Sequence, residues 1–176
     1  MSAPFLQQFP AWLAFCVVTF TSFFPLVDPL GNISIFSSMT YKASPKTVRY
    51  IAFRSSLLAI CLCLLFGFLG ESIFQLFHLS YDALKVVGGI LFFIMGYDML
   101  KAQVSFTKVD DNFSLEEEST AKELSITPIG IPLLFGPGVL THSILIMGET
   151  ESRWDLKLGF IMGVLLIFSF TMICLI

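Results

Sequence analysis

Long apolar runs separated by short polar stretches divide the chain. Five runs can be marked, at residues 11–40, 48–70, 83–101, 124–147 and 157–176. About twenty apolar residues suffice to cross a bilayer as a helix. Each run therefore predicts a membrane-spanning helix. The first run is too long to be one straight helix.

Prolines interrupt the first and fourth runs at the same spacing. The first run contains PLVDPLGN and the fourth contains PIGIPLLFGPG, and their prolines and glycines are Pro25, Pro29, Gly31, Pro128, Pro132, Gly136, Pro137 and Gly138. Proline lacks a backbone donor and clashes with the preceding turn, so it breaks or kinks a helix. We expect two half-helices in the first run, at 11–24 and about 30–40. In the fourth run we expect a break that is either long or partly re-entrant.

The two proline motifs also indicate an internal repeat. With the motifs in register, spans 1–3 become equivalent to spans 4–6, and an odd number of spans gives halves of opposite orientation. The predicted fold is an all-α polytopic helix bundle of two inverted three-helix repeats with discontinuous first and fourth helices. The repeats are 1–104 and 124–176, joined by a cytoplasmic acidic linker at 105–123. Because only five spans are visible, the second repeat is incomplete and a sixth helix is expected to be missing.

Positive charges predict the orientation of these spans. Cytoplasmic loops carry an excess of Lys and Arg. One set of alternate loops holds seven of the ten basic residues, namely Lys42, Lys46, Arg49, Arg54, Lys101, Lys108 and Lys122. The other set holds Lys85, Arg153 and Lys157. The N-terminus is therefore expected outside the cell.

Composition supports a membrane protein and excludes other classes. The chain is 56% hydrophobic and 13% charged, with a mean hydropathy of +0.85, which is too apolar for a soluble domain. The ten basic residues form no stripe, so no nucleic-acid partner is expected. The four cysteines fall inside apolar runs and are read as packing residues. No metal site and no cofactor are predicted.

Asp28 and Asn32, beside the first break, are the leading candidates for a solute or ion path. A carboxylate near the middle of a span costs roughly 2.5–3.5 kcal/mol on insertion scales, and such acids usually face a cavity or a partner. Asp28 could carry a proton or contact a cation. It could equally cap the second half-helix through its carboxylate. Asn32 could contact a ligand or bond to the backbone.

Thr141 and His142 follow the second break. The imidazole titrates near neutral pH and could relay a proton, although a structural role is the more common one for a lone histidine. Arg54 is expected either to extend to the membrane surface or to reach Asp28. In the third run, Gly88, Gly89 and Gly96 would permit close packing of a neighbouring helix, or they could instead line the transport path.

Three stretches resemble a known family. FFPLVDPLGNISIF, GGILFFIMGYDML and ITPIGIPLLFGPGVLT are similar to the corresponding parts of the MarC family of bacterial inner-membrane proteins. The resemblance implies a multi-pass protein of the bacterial inner membrane with six helices in two related halves, distantly similar to LysE-type amino-acid exporters. The first two motif prolines, Asp28, Gly31 and Asn32, and the second Pro/Gly cluster, carry over from it. The chain departs from the family pattern at Ser34, where proline is common.

Two functions compete at this point. The first is a secondary transporter or exporter of an unknown small solute, proton-coupled through Asp28. The second is a non-transporting membrane scaffold or assembly partner. An enzyme is not expected, because the sequence contains neither G-x-S-x-G nor H-E-x-x-H. The expected partners are the lipid bilayer and a small solute, and a homo-oligomer stays open.

Overall fold

The computed structural model describes residues 10–41, 43–76, 78, 80–100, 125–126, 129–150 and 153–176. Over these residues the chain is helical and contains no strand, so the predicted all-α membrane protein is confirmed. The helices are α1 (Ala11–Val27), α2 (Pro29–Thr40), α3 (Pro45–Leu76), α4 (Tyr81–Leu100), α5 (Pro137–Gly148) and α6 (Trp154–Leu175). A short helical segment, Ile129–Leu134, precedes α5 and is interrupted at Ile131. The predicted linker 105–123, Pro128, Lys42, Lys101, Lys108 and Lys122 lie outside the described residues.

Two described helices, α3 and α6, are each long and apolar enough to cross a membrane alone. The pair α1–α2 passes the same test as one span with a bend of 43°. α5 is apolar but only 12 residues long, so it resembles a half-helix. α4 lies where the third run predicted a helix.

The first break is shorter than the sequence suggested. α1 continues through Pro25 and ends at Val27, so a single residue, Asp28, separates it from α2. Proline costs a helix one hydrogen bond and strains the turn before it. Pro25 lies in the last turn of α1, where the helix has few further hydrogen bonds to lose. The helix therefore continues for two residues beyond Pro25.

Two serines begin the next long helices. The Ser44 side chain accepts a hydrogen bond from the Thr47 amide (3.3 Å), and Pro45 follows at the first helical position. Ser80 accepts from the Ala83 amide (3.1 Å) at the start of α4. These side chains satisfy amides that have no partner within a helix.

The first broken segment packs along the long helix that follows the second break. The second broken segment packs along the long helix that follows the first break. α1 and α2 pack on α6, while Ile129–Leu134 and α5 pack on α3. Gly159 of α6 lies against Phe15, and Gly163 lies against Thr19 one turn further along both helices, so α1 and α6 run parallel.

α3 and the second broken segment also run parallel. Leu58 approaches Gly130, Phe66 stacks on Phe135 with ring centroids 5.9 Å apart, and Gly70 lies against Ile144. Between the two parallel pairs lies an apolar core in which these side chains are fully buried: Phe23, Phe160, Val164, Ile167 and Phe168.

α4 is attached to the edge of this bundle, mainly through α5. Gly88 is buried against the methyl group of Thr141, as expected for a packing glycine. Among the described residues no atom lies within 4 Å of an added Cβ at Gly89 or Gly96, so no described helix packs closely on them. Successive helical residues are rotated by about 100°. One neighbouring helix therefore covers Gly88 and leaves the faces of the other two glycines open.

Candidate functional site

The first break is held together by Asp28. This residue adopts the left-handed conformation (φ 42°, ψ 66°), which Asp and Asn tolerate better than most side chains. The Gly31 amide donates a hydrogen bond to Asp28 Oδ1 (3.1 Å), so the carboxylate caps α2. A Cβ on Gly31 would collide with that carboxylate. The capping role that the sequence left open for Asp28 is therefore present.

Asn32 joins the two half-helices from the other side. Its Nδ2 donates to the carbonyl of Val27 (2.7 Å), the last residue of α1, and the side chain is buried. The carbonyls at the end of a helix have no helical partner. Asp28 thus satisfies an amide of α2, and Asn32 satisfies a carbonyl of α1. Together these two side chains link the end of α1 to the start of α2 at the bend.

The second break is longer and is built without an acid. Ile131 is extended (φ −132°, ψ 122°), and Gly136 is extended again (φ −80°, ψ 173°) immediately before α5. The Phe135 amide donates to the Gly130 carbonyl (3.0 Å) and closes the loop between them. Pro137 is the first residue of α5, as Pro29 is of α2, and no described side chain caps the N-terminus of α5.

The two broken segments meet at Phe23 and His142. The rings form an edge-to-face contact with centroids 4.8 Å apart. Phe23 is fully buried and also contacts Phe160 of α6. His142 Nε2 is buried and has no hydrogen-bond partner among the described residues. A buried polar atom of this kind is costly unless something binds it.

Thr141 faces a different neighbour from His142. Its methyl group lies against Gly88 of α4, whereas His142 points to α1. The next residue, Ser143, lies beside Cys63 of α3, and its hydroxyl donates to the Leu140 carbonyl (2.7 Å). Three consecutive side chains of α5 therefore meet three different helices.

The sequence-predicted residues thus form two groups rather than one cluster. Asp28, Asn32, Pro29 and Gly31 form the bend between α1 and α2, and His142 reaches α1 four residues before the end of that helix, at Phe23. Arg54 bonds to the hydroxyl of Tyr50 (2.5 Å) on its own helix, and this contact is not the predicted one to Asp28.

Two further polar side chains near this region carried no motif. Thr19 lies one turn before Phe23, is fully buried, and has no partner for its hydroxyl within the described structure. Ser56 of α3 is likewise buried and unpartnered there. In the sequence, both residues could have been noticed only as hydroxyl side chains inside an apolar run. Phe23 gave none, since it is one of twenty phenylalanines. Among the described residues, no three His, Cys, Asp or Glu side chains are arranged to hold a metal ion.

A comparison with protein families decides the relationship. The sequence model described as MarC family integral membrane protein matches residues 13–176, nearly the whole chain. The chain belongs to the MarC family. Its helices and this match together establish an integral membrane protein.

Several relatives within this family are similar in sequence. A UPF0056 membrane protein of Methanocaldococcus jannaschii is 35% identical over 143 residues, or 80% of this chain and 61% of the relative. One of Pyrococcus abyssi is 34% identical over 74% of this chain and 62% of the relative. The UPF0056 membrane protein YvbG of Bacillus subtilis is 32% identical over 72% and 60%. The chain thus spans less than two thirds of the length of these relatives. No solved structure matches it.

Proposed function

We propose that this MarC protein is a secondary transporter or exporter of a small solute whose path passes between the two helix breaks. The observation that carries the proposal is the meeting of two interrupted segments at Phe23 and His142. Discontinuous membrane helices in corresponding places of two halves are typical of transporter binding sites. The unpartnered nitrogen of His142 offers a polar contact at this point.

The reciprocal packing supports an inverted repeat. In one pair, α1 packs on α6. In the other, Ile129–Leu134 and α5 pack on α3. Exchange of the two halves converts one pair into the other, and the helices run parallel in both. Such halves can rock against each other around a fixed site, which gives alternating access. We place this repeat in the inner membrane of a bacterium with the N-terminus outside, as the charge distribution predicts.

Proton coupling is assigned to Asp28 as part of the same proposal. The test replaces Asp28 with Asn, which keeps a left-handed conformation and an oxygen for the Gly31 amide but carries no charge. Candidate solutes come from a thermal-shift screen of amino acids, metal ions and drugs, since a ligand that binds the native state raises its apparent stability. Solute-driven proton uptake is then followed in proteoliposomes with an internal pH-sensitive dye.

We expect Asp28→Asn to lose proton uptake at least tenfold and to unfold at the wild-type temperature. The matched control is Asp155→Asn, which removes the charge of an exposed acid at the start of α6. Equal proton uptake by wild type and Asp28→Asn would remove Asp28 from the mechanism. A stable complex with another membrane protein, without any solute that shifts the unfolding temperature, would favour the scaffold function.

A further inference from the structure

The beginning of α3 turns one face outward and one face toward the bundle. Successive helical residues are rotated by about 100°, so residues three or four apart share a face. The inward face carries residues that are all buried, namely Ile51, Ala52, Ser55 and Ser56. The outward face carries exposed and half-buried residues, namely Lys46, Arg49, Tyr50, Phe53, Arg54 and Leu57. We call this outward face the cationic face of α3.

The cationic face carries three positive charges that no described acid balances. Residues 29–70 contain neither Asp nor Glu, so α2 and the apolar span that begins α3 supply no carboxylate. Among the described residues, no carboxylate comes within ion-pair distance of Lys46, Arg49 or Arg54. The face therefore suits an anionic partner.

Arg54 is held in place by Tyr50. Its Nη1 donates a hydrogen bond to the Tyr50 hydroxyl (2.5 Å), and its guanidinium carbon lies 5.7 Å from the centroid of the Tyr50 ring. Tyr50 is one turn nearer the start of α3, so Arg54 reaches toward the end of the helix at which Lys46 and Arg49 lie. A guanidinium has five N–H donors, of which this bond uses one. The fork of donors that remains matches the oxygens of a phosphate group.

Apolar side chains continue the cationic face toward the middle of the span. Phe53 is 56% exposed, and Leu57, one turn further along, is 47% exposed. A small soluble anion would contact the cations alone. An amphiphile with an anionic head and a hydrocarbon chain would contact the cations and this apolar strip together.

We propose that the cationic face of α3 binds an anionic phospholipid. Arg49 and Arg54, which lie on either side of Phe53, hold its phosphate group, and one acyl chain lies along Phe53 and Leu57. Lys46 lies one turn nearer the end of the helix and faces the rest of the headgroup. Anionic lipids attract clustered Lys and Arg at the end of a membrane span, and basic surfaces on such helices bind their headgroups. The inference concerns lipid alone and does not rest on transport.

The experiment measures lipid binding to the purified protein in a non-ionic detergent. Phosphatidylglycerol, phosphatidylcholine or inorganic phosphate is titrated, and the unfolding temperature is followed, since a ligand of the native state raises it. The test variant combines Arg49→Gln with Arg54→Gln. The matched control combines Lys85→Gln with Lys157→Gln, which changes the net charge equally at the other end of the bundle. A second measurement counts the phosphatidylglycerol that stays bound to each protein during purification from a mixture of the two lipids.

We expect phosphatidylglycerol to raise the unfolding temperature of the wild type and the control, and phosphatidylcholine and inorganic phosphate to leave it unchanged. The apparent affinity for phosphatidylglycerol should fall about thirtyfold in the glutamine variant, because two cations near the membrane surface are lost. Arg49→Lys with Arg54→Lys keeps both charges and should bind more tightly than the glutamine variant. Unfolding of each protein at the wild-type temperature before lipid is added shows that its fold is intact.

Three results would overturn the proposal. The first is equal stabilisation by phosphatidylcholine, because the face would then have no preference for an anionic head. The second is binding of phosphatidylglycerol by the glutamine and lysine variants as tightly as by the control. The third is equal stabilisation by inorganic phosphate, because the face would then bind a free anion without its hydrocarbon chain.

Discussion

At the scale of single residues, the first break depends on a matched pair, Asp28 and Gly31. The carboxylate caps α2 only because Gly31 leaves it room, and the left-handed backbone of Asp28 aims the side chain at the Gly31 amide. Asn32 completes the bend through the Val27 carbonyl. Asp28 can therefore have both a structural role and a role in transport. Asp28→Asn changes the charge of this side chain and tests transport, whereas Gly31→Ala changes the shape of the cap and tests the structural role.

Replacement of Gly31 by alanine tests this pair. The added methyl group would force the Asp28 carboxylate away from the amide, and loss of an N-cap costs about 0.5–2 kcal/mol. We expect a lower unfolding temperature in detergent. Gly96→Ala is the control, because no described atom lies within 4 Å of an added Cβ at that position. Equal unfolding temperatures for Gly31→Ala and wild type would show that the cap contributes nothing.

At the scale of helices, glycines determine how closely the parallel pairs approach. Gly159 and Gly163 of α6 let the backbone of α1 lie directly against that helix. Gly67 of α3 leaves room for the Phe160 ring of α6, and Gly70 of α3 leaves room for the Ile144 side chain of α5. In lipid the packing of backbones at small residues replaces much of the hydrophobic driving force that water supplies. The α1–α6 contact positions Phe23 against His142, so the site depends on these glycines.

Gly163→Ala should separate α1 from α6. A Cβ at Gly163 would lie 2.6 Å from the Cβ of Thr19, and overpacking of this kind typically costs about 1–3 kcal/mol. We expect lower thermal stability in detergent. The control is Gly89→Ala, also within a helix but with open space around it, where alanine raises helix propensity by up to about 1 kcal/mol. A Gly163→Ala protein as stable as Gly89→Ala would contradict the close packing.

At the scale of the whole molecule, aromatic anchors mark one membrane surface. Trp12 is the second residue of α1 and Trp154 is the first residue of α6, and both are exposed, at 40% and 74%. Because α1 and α6 are parallel, the two indoles lie at the same end of the bundle. Tryptophan is enriched at the membrane interface. Lys157 over the Trp154 ring, 5.1 Å from its centroid, places a charge at that same level.

A labelling experiment tests which side of the membrane this end of the bundle faces. The charge distribution predicts that it faces outward, so a cysteine at Glu149 should react with a membrane-impermeant maleimide on intact cells. A cysteine at Ser44, at the opposite end, should react only after the membrane is opened. The wild type reports the background from the native cysteines. Reaction of Ser44→Cys, but not Glu149→Cys, on intact cells would reverse the topology.

The sequence by itself determined the membrane class, the helices and the place of the first break. Runs of apolar residues and the missing amide of proline act locally, so they act wherever the chain folds. The same local chemistry gave the cap as one of two roles for Asp28, and it indicated packing for Gly88 together with Gly89 and Gly96.

Only the tertiary structure decided which neighbour each helix face meets. Thr141 and His142 are adjacent in sequence, yet one faces α4 and the other faces α1, because consecutive helical residues point about 100° apart. Helical periodicity shows which residues share a face, but it contains no information on the helix that covers it. That choice depends on contacts between residues distant in the chain, and here it brought Phe23 to His142.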